Sequence, residues 1–183
     1  MPAIPVVVLV GMSGTGKTTF LEKLIREFKK RKVRTGTVKH DVHGFEMDRP
    51  GKDSWRHAQA GADAVAISCP TKVAMVRHVE QELSLDQIAE LLVGVDIILV
   101  EGYKRANKPK IEIHRQARSR ELLCPPEELL AVVSDVNWSI GVPLFDLEDA
   151  SGVADMLVKK FGIVCEEDRV SQRFMQKQLF ICK

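Results

Sequence analysis

Eight consecutive residues, Gly11-Met12-Ser13-Gly14-Thr15-Gly16-Lys17-Thr18, satisfy every required place of a phosphate-binding loop. Glycine at 11, 14 and 16 lets backbone N–H groups curl around phosphate oxygens with no Cβ in the way. Ser13 and Thr15 belong to the same cradle. Lys17 is placed to reach the β and γ phosphates, and the Thr18 hydroxyl to ligate Mg²⁺, which neutralises charge the loop alone cannot. The expected ligand is a nucleoside triphosphate with its magnesium ion.

Two further segments could take part in that chemistry. In Ile97-Ile98-Leu99-Val100-Glu101-Gly102 a carboxylate emerges from an apolar run. That is where phosphate-loop proteins hold Mg²⁺ directly or through water, so Glu101 is the expected second magnesium residue. Gly102 then permits close approach of the backbone to the γ phosphate. Asp96 lies at the far end of the run, about 16 Å away for five residues of extended chain. The other segment is residues 39–54, with His40, His43, several carboxylates and Lys52. It is equipped to sense γ phosphate and Mg²⁺, or to contact a substrate, and such loops are mobile until ligand orders them. Two histidines three apart could also serve a transition metal, but spacing supplies no third fixed ligand.

These groups need elements that deliver them to one place. Residues 4–10 form a continuous Val-rich run, as a strand buried on both faces requires. Phe20, Leu21, Leu24, Ile25 and Phe28 recur at helical spacing, so a helix leaves the loop and directs its positive dipole end at the phosphates. The basic run 29–32 closes that helix, where cations complement the dipole. Residues 33–39 read as a second strand, and Asp53 or Ser54 caps a helix that runs through Gln59 and stops at Gly61. Residues 62–69 and 72–79 read as strands joined by Pro70-Thr71, either within the main sheet or as an antiparallel hairpin. A helix over 84–92, a strand over 95–100, a short strand with alternating faces over 110–114, strands over 129–134 and 142–145, and a helix over 149–161 complete the series. Such alternation predicts a three-layer α/β/α fold with a mainly parallel central sheet and a ligand beyond the carboxyl ends of its strands. Residues 115–128, charged and containing Pro125-Pro126, are the one linker-like stretch.

A chain of 183 residues with 45% apolar content can bury a full core as one unit. Residues 1–163 are expected to form the nucleotide-binding domain and 164–183 a C-terminal extension. The net charge of +2 gives no ground for nucleic acid or a membrane surface as partner. No leader peptide is read at the start, and no apolar stretch approaches the roughly 20 residues of a membrane span. Cys69, Cys124, Cys165 and Cys182 are scattered without a CxxC pair, which fits a reducing cytoplasm better than a zinc knuckle or dithiol site.

The loop GMSGTGKTT, the segment VKHDVHGFEMDRPGKDSWRHAQAGA, the strand IILVEGYK and the later AVVSD together resemble the B protein family of molybdopterin-guanine dinucleotide biosynthesis, over roughly residues 4–163. The histidine-rich block is the specific part, since phosphate loops occur in many families. The resemblance implies a cytoplasmic GTP-binding homodimer with weak GTPase activity. It also implies an adapter for the guanylyltransferase that joins GMP to molybdopterin, with molybdopterin itself a possible ligand. Carried over by position, Gly14, Gly16, Lys17, Thr18 and Thr19 hold phosphates, and Thr18 and Glu101 serve Mg²⁺.

Two departures stand out. The NKxD guanine signature is missing, and its best substitute is Ser134-Asp135, where a carboxylate could accept from N1 and the exocyclic amine of guanine. Met12 occupies the place of the second lysine of partitioning-type ATPases, so no lysine is expected to act across a dimer. Arg49, Arg105 and Arg115 are equal candidates for an arginine that touches the phosphates. Val170, Phe174, Leu179 and Ile181 suit either a partner-binding helix or packing at home. Rival readings are a phosphate-loop small-molecule kinase and a binding module in which nucleotide only stabilises the fold.

Overall fold

The computed structural model describes residues 4–164, so the expectations for Cys165, Cys182 and the tail helix lie outside the described residues. In chain order the elements are β1 (Val6–Val10), α1 (Lys17–Lys30), β2 (Thr35–Lys39), α2 (Asp53–Gln59), β3 (Ala64–Cys69), β4 (Lys72–Arg77) and α3 (Leu85–Leu91). There follow β5 (Ile97–Glu101), β6 (Lys110–His114), a 3₁₀ turn (Pro126–Glu128), β7 (Leu129–Ser134), β8 (Leu144–Phe145) and α4 (Ala150–Phe161). The described residues fall into two compact units, Asp41–Ser84 and the remainder.

The larger unit is a six-stranded sheet in the order β2-β5-β1-β6-β7-β8, parallel at every pairing. The apolar runs explain why β1 and β5 lie inside it. Val7 and Leu9 join the core on one face, with Ile97 and Leu99 beside them. Val8 and Val10 join the core on the other, with Ile98 and Val100. The first face is covered by Phe20, Leu21, Leu24 and Phe28 of α1 and by Val153, Ala154 and Leu157 of α4. The second is covered by Leu85 of α3, with Ile88 and Leu92 partly buried. Each fully buried Val, Leu, Ile or Phe among them contributes about 1.5–3 kcal/mol relative to an exposed position, which fixes the sheet between two helical layers as the alternation predicted.

Helix ends differ in an informative way. At α4 the Asp149 carboxylate accepts from the Gly152 N–H at 2.8 Å, and Gly162 closes the helix in the left-handed conformation at φ 59°. At α1 the first residue follows Gly16, also left-handed, and no side chain caps the opening turn. Its first N–H groups are therefore not satisfied by a cap of the helix's own.

Two local expectations are corrected. The residue before α2 is Lys52, in extended conformation and without a side-chain cap bond. Asp53 is already helical, so its charge favours the positive end of the dipole instead of capping it. In β6, alternating polar residues suggested one solvated face, yet all five residues are buried. Lys110 pairs with Glu128, Glu112 accepts from the N–H groups of Leu123 and Cys124 at 2.7 and 3.0 Å, and His114 bonds Ser134. Burial of these groups is tolerated because each has a partner.

In the smaller unit β3 and β4 form an antiparallel hairpin in register from Ala64↔Arg77 to Cys69↔Lys72, joined by Pro70-Thr71. Of the two alternatives left by the sequence, the hairpin holds, as a sheet of its own. Its apolar side chains are largely uncovered, with Ile67 at 60% and Val73 at 72% exposure. Among the described residues no helix is long and apolar enough to cross a membrane.

Candidate functional site

The strand order reverses at β1, which has β5 on one side and β6 on the other. A crevice is expected beyond the carboxyl end of such a strand, and the glycine loop occupies that position, between Val10 and the start of α1. A Cβ at Gly11 would lie 2.3 Å from the carbonyl oxygen of Ile113, so only glycine lets β6 pass this close to the loop. Gly14 and Gly16 have φ of 76° and 95°, where side chains are strained. Thr15 is buried, and its hydroxyl donates to the Met12 carbonyl at 3.0 Å. The Lys17 ammonium donates to the carbonyls of Gly11 at 3.0 Å and Met12 at 2.9 Å. Burial pulls Lys17 below its ordinary pKa and Lys39 adds to this, while Glu101 opposes it.

Glu101 closes β5 in register with Leu9 of β1 and Lys39 of β2. It is 6% exposed. Thr18 Oγ1 donates to its Oε2 at 2.9 Å and Oε1 at 3.1 Å, and Lys39 Nζ to its Oε1 at 2.7 Å. Burial is the largest single influence and favours the protonated acid. The bonds from Lys39 and Thr18 and the charges of Lys39 and Lys17 together outweigh it, holding the carboxyl below its usual range. The fold thus brings a hydroxyl and an ionised carboxylate together from positions 83 residues apart. Hard oxygen donors of this kind could hold Mg²⁺. Among the described residues no group of three or more His, Cys, Asp or Glu side chains is arranged to hold a metal. Asp96, at the far end of β5, pairs instead with Arg34.

Gly102 (φ 102°) has a packing reason to be glycine, since a Cβ there would come within 2.7 Å of the His40 Cβ. The His40 ring lies 4.2 Å from that of Tyr103. His43 and Lys52 belong to the smaller unit; the backbone N–H of His43 bonds the Asp41 carboxylate at 2.9 Å.

Ser134 and Asp135 stand at the end of β7. The Ser134 hydroxyl is buried, shared with His114 Nδ1 at 3.0 Å and accepting from the Val136 N–H at 3.1 Å. Asp135 is exposed and accepts from the Gln116 N–H at 2.9 Å. Both line a hollow of about 270 Å³ with Asn137, Phe145 and Asp146. The serine hydroxyl is buried and engaged inside the fold, so the exposed Asp135 is the more accessible of the pair.

Two contacts beside the loop escaped the sequence reading: that of Lys39, the first residue of the segment 39–54 singled out above, with Glu101, and that of Arg118 with Gly14. The role of Lys39 was legible in principle, because the ends of neighbouring parallel strands meet. Arg118, next to Gly14, had no local signal. Of the three arginines held open, Arg115 is the one on the loop, its Nε donating to the Thr15 carbonyl at 3.0 Å.

A family model described as molybdopterin guanine dinucleotide synthesis protein B matches residues 6–135. The chain is 36% identical over 156 residues to a molybdopterin-guanine dinucleotide biosynthesis adapter protein of Haemophilus influenzae, covering 84% of this chain and 88% of that one. It is 37% identical over 166 residues to the protein of the same description from Escherichia coli, covering 85% and 93%. Among solved structures, the crystal structure of Bacillus subtilis MobB superposes with a TM-score of 0.67 at 26% identity, covering 85% of this chain and 97% of that one. A crystal structure of molybdopterin-guanine biosynthesis protein B gives 0.67 at 28% identity, covering 85% and 98%.

Proposed function

The chain belongs to the molybdopterin guanine dinucleotide synthesis protein B family, and from that premise we propose that it is a GTP- and Mg²⁺-binding adapter in molybdopterin guanine dinucleotide biosynthesis, with weak GTPase activity. Its partners in this reading are the guanylyltransferase, molybdopterin itself and a second copy of the chain, in the cytoplasm. The exposed apolar hairpin is compatible with self-association; light scattering after size exclusion tests the dimer.

The observation that supports the nucleotide part most directly is the Thr18–Glu101 contact at 2.9 Å beside an uncapped helix start and a glycine loop. Gly11 to Thr19 would hold the phosphates, Thr18 and Glu101 the magnesium ion, and Asp135 the guanine edge. The ion would neutralise phosphate charge. Lys17 would exchange its two loop carbonyls for phosphate oxygens. Glu101 stays ionised at neutral pH because Lys39 and Thr18 bond its charged form.

Titration calorimetry with GTP and ATP in the presence of Mg²⁺ tests this reading. Tighter binding of GTP is expected. Equal or tighter binding of ATP overturns the guanine assignment. A groove of about 320 Å³ lined by Leu21, Ile25, Val38 and Glu101 favours the kinase as the second reading, since an acceptor there would lie beside the metal residues. A phosphorylated product formed in step with triphosphate consumption would establish it.

A further inference from the structure

We propose that Arg115 and Arg118 form a clamp, supplied by the chain's own segment after β6, for the phosphate tail of the nucleotide held in the glycine loop. The inference rests on the nucleotide reading above and deepens it.

Topology places the pair. β6 is the neighbour of β1, with Val10 opposite Glu112, so chain that leaves β6 at His114 emerges beside the loop that leaves β1 at Val10. A local turn then sets the spacing, because the N–H groups of Arg118 and Ser119 both donate to the Arg115 carbonyl, at 2.9 and 3.1 Å. Residues three apart in such a turn share one side.

The contacts are with the positions that backbone phosphate binding needs open. Arg115 Nε donates to the Thr15 carbonyl at 3.0 Å, and the guanidinium lies 3.7 Å from where a Gly16 Cβ would be. The Arg118 guanidinium lies 3.2 Å from the corresponding point at Gly14.

Arg31 and Arg34 are paired with carboxylates. Among the described residues no ion pair joins Arg115 or Arg118 to a carboxylate, although both stand at the loop that holds Lys17. With Lys17 they give the loop three cationic side chains to set against an anion. A guanidinium meets phosphate oxygens with two parallel N–H donors, which a lysine cannot do.

The test is GTP and ATP affinity with Mg²⁺ for the full chain and for Arg115→Ala, Arg118→Ala, the double variant, Arg115→Lys, and Arg120→Ala as a control from the same segment, each with a melting curve without nucleotide. Each single alanine is expected to weaken binding about tenfold and the pair about a hundredfold. Arg115→Lys should recover part of the loss, with Arg120→Ala and the apo melting temperatures unchanged. Unaltered affinity in the double variant, with the parent binding normally, overturns the clamp and leaves the nucleotide reading standing. Loss of affinity matched by loss of apo stability assigns the arginines to loop scaffolding and also overturns it. A parent chain that binds neither nucleotide overturns the nucleotide reading, and the clamp with it.

Discussion

The loop edge of the parallel sheet and the β3–β4 hairpin are both strand-and-turn structures, but they are held in opposite ways. At the loop, three of the groups are anchored to something buried: Glu101 to a strand with no exposed residue, Thr15 to an interior position, and Arg115 to the Thr15 backbone. In the hairpin the ladder is complete, yet every residue of β4 is exposed and α2 buries none. Backbone pairing can therefore set a register without setting side chains. Packing on two faces is what gives a carboxylate and a hydroxyl a fixed separation.

The comparison breaks most visibly through stability. Leu99→Ala, at a fully buried position of β5, is expected to cost about 2–5 kcal/mol. Val73→Ala, 72% exposed, should stay within about 0.5 kcal/mol. Urea denaturation of both would show whether the two regions differ as described, and equal losses would erase the distinction.

Lys17→Ala comes next. It is expected to weaken GTP binding about a hundredfold or more, since a charge-assisted contact to phosphate disappears; Lys72→Ala in the hairpin should leave the dissociation constant unchanged. Calorimetry decides, and unaltered affinity in Lys17→Ala would remove the nucleotide assignment.

Glu101→Gln has a smaller expected effect. GTP should still bind, with a weaker dependence on Mg²⁺ and hydrolysis slower by about tenfold. Wild-type turnover across a magnesium titration would exclude the carboxylate from that role.

The smallest effect is a pH dependence. Burial depresses the Lys17 pKa, and an arriving phosphate would favour its charged form. Affinity for GTP should therefore fall as pH rises through this depressed value, below the pH at which an ordinary lysine loses its proton. Glu101 works at the acid end. Its pKa is held down, so its stabilising contacts are complete above the unfolded carboxyl value and are lost as pH falls through the lower folded one. Affinity flat across the alkaline range would show that burial at Lys17 has no functional consequence.

Sequence carried much of this because some signals are local. The runs in β1 and β5 are apolar at consecutive positions, and consecutive burial is what a strand between two helical layers requires. The glycine loop is equally local as a pattern, since its glycines, Lys17 and Thr18 follow one another within a single short run. Thr18 and Glu101, both read from the sequence as magnesium residues, meet in the fold because the parallel strands β1 and β5 end together. β6 misled because period-two polarity normally marks a wet face, whereas Glu112 and His114 face the interior with partners from 119–124 and β7. The partners from 119–124 lie in a stretch that reads only as a charged linker. Arg118 was invisible for a related reason: its neighbour Gly14 is more than a hundred residues earlier in the chain.

That linker has a further property. Glu112 grips the backbone at Leu123 and Cys124, so residues 113–122 form a short closed ring of chain hung from the end of β6. Closing a ring of this size costs conformational entropy once, when the protein folds, and the arginines it carries start near the loop with little left to lose. Capture of an anion there would lack the unfavourable ordering entropy and large heat-capacity change that accompany folding of a free segment onto its ligand.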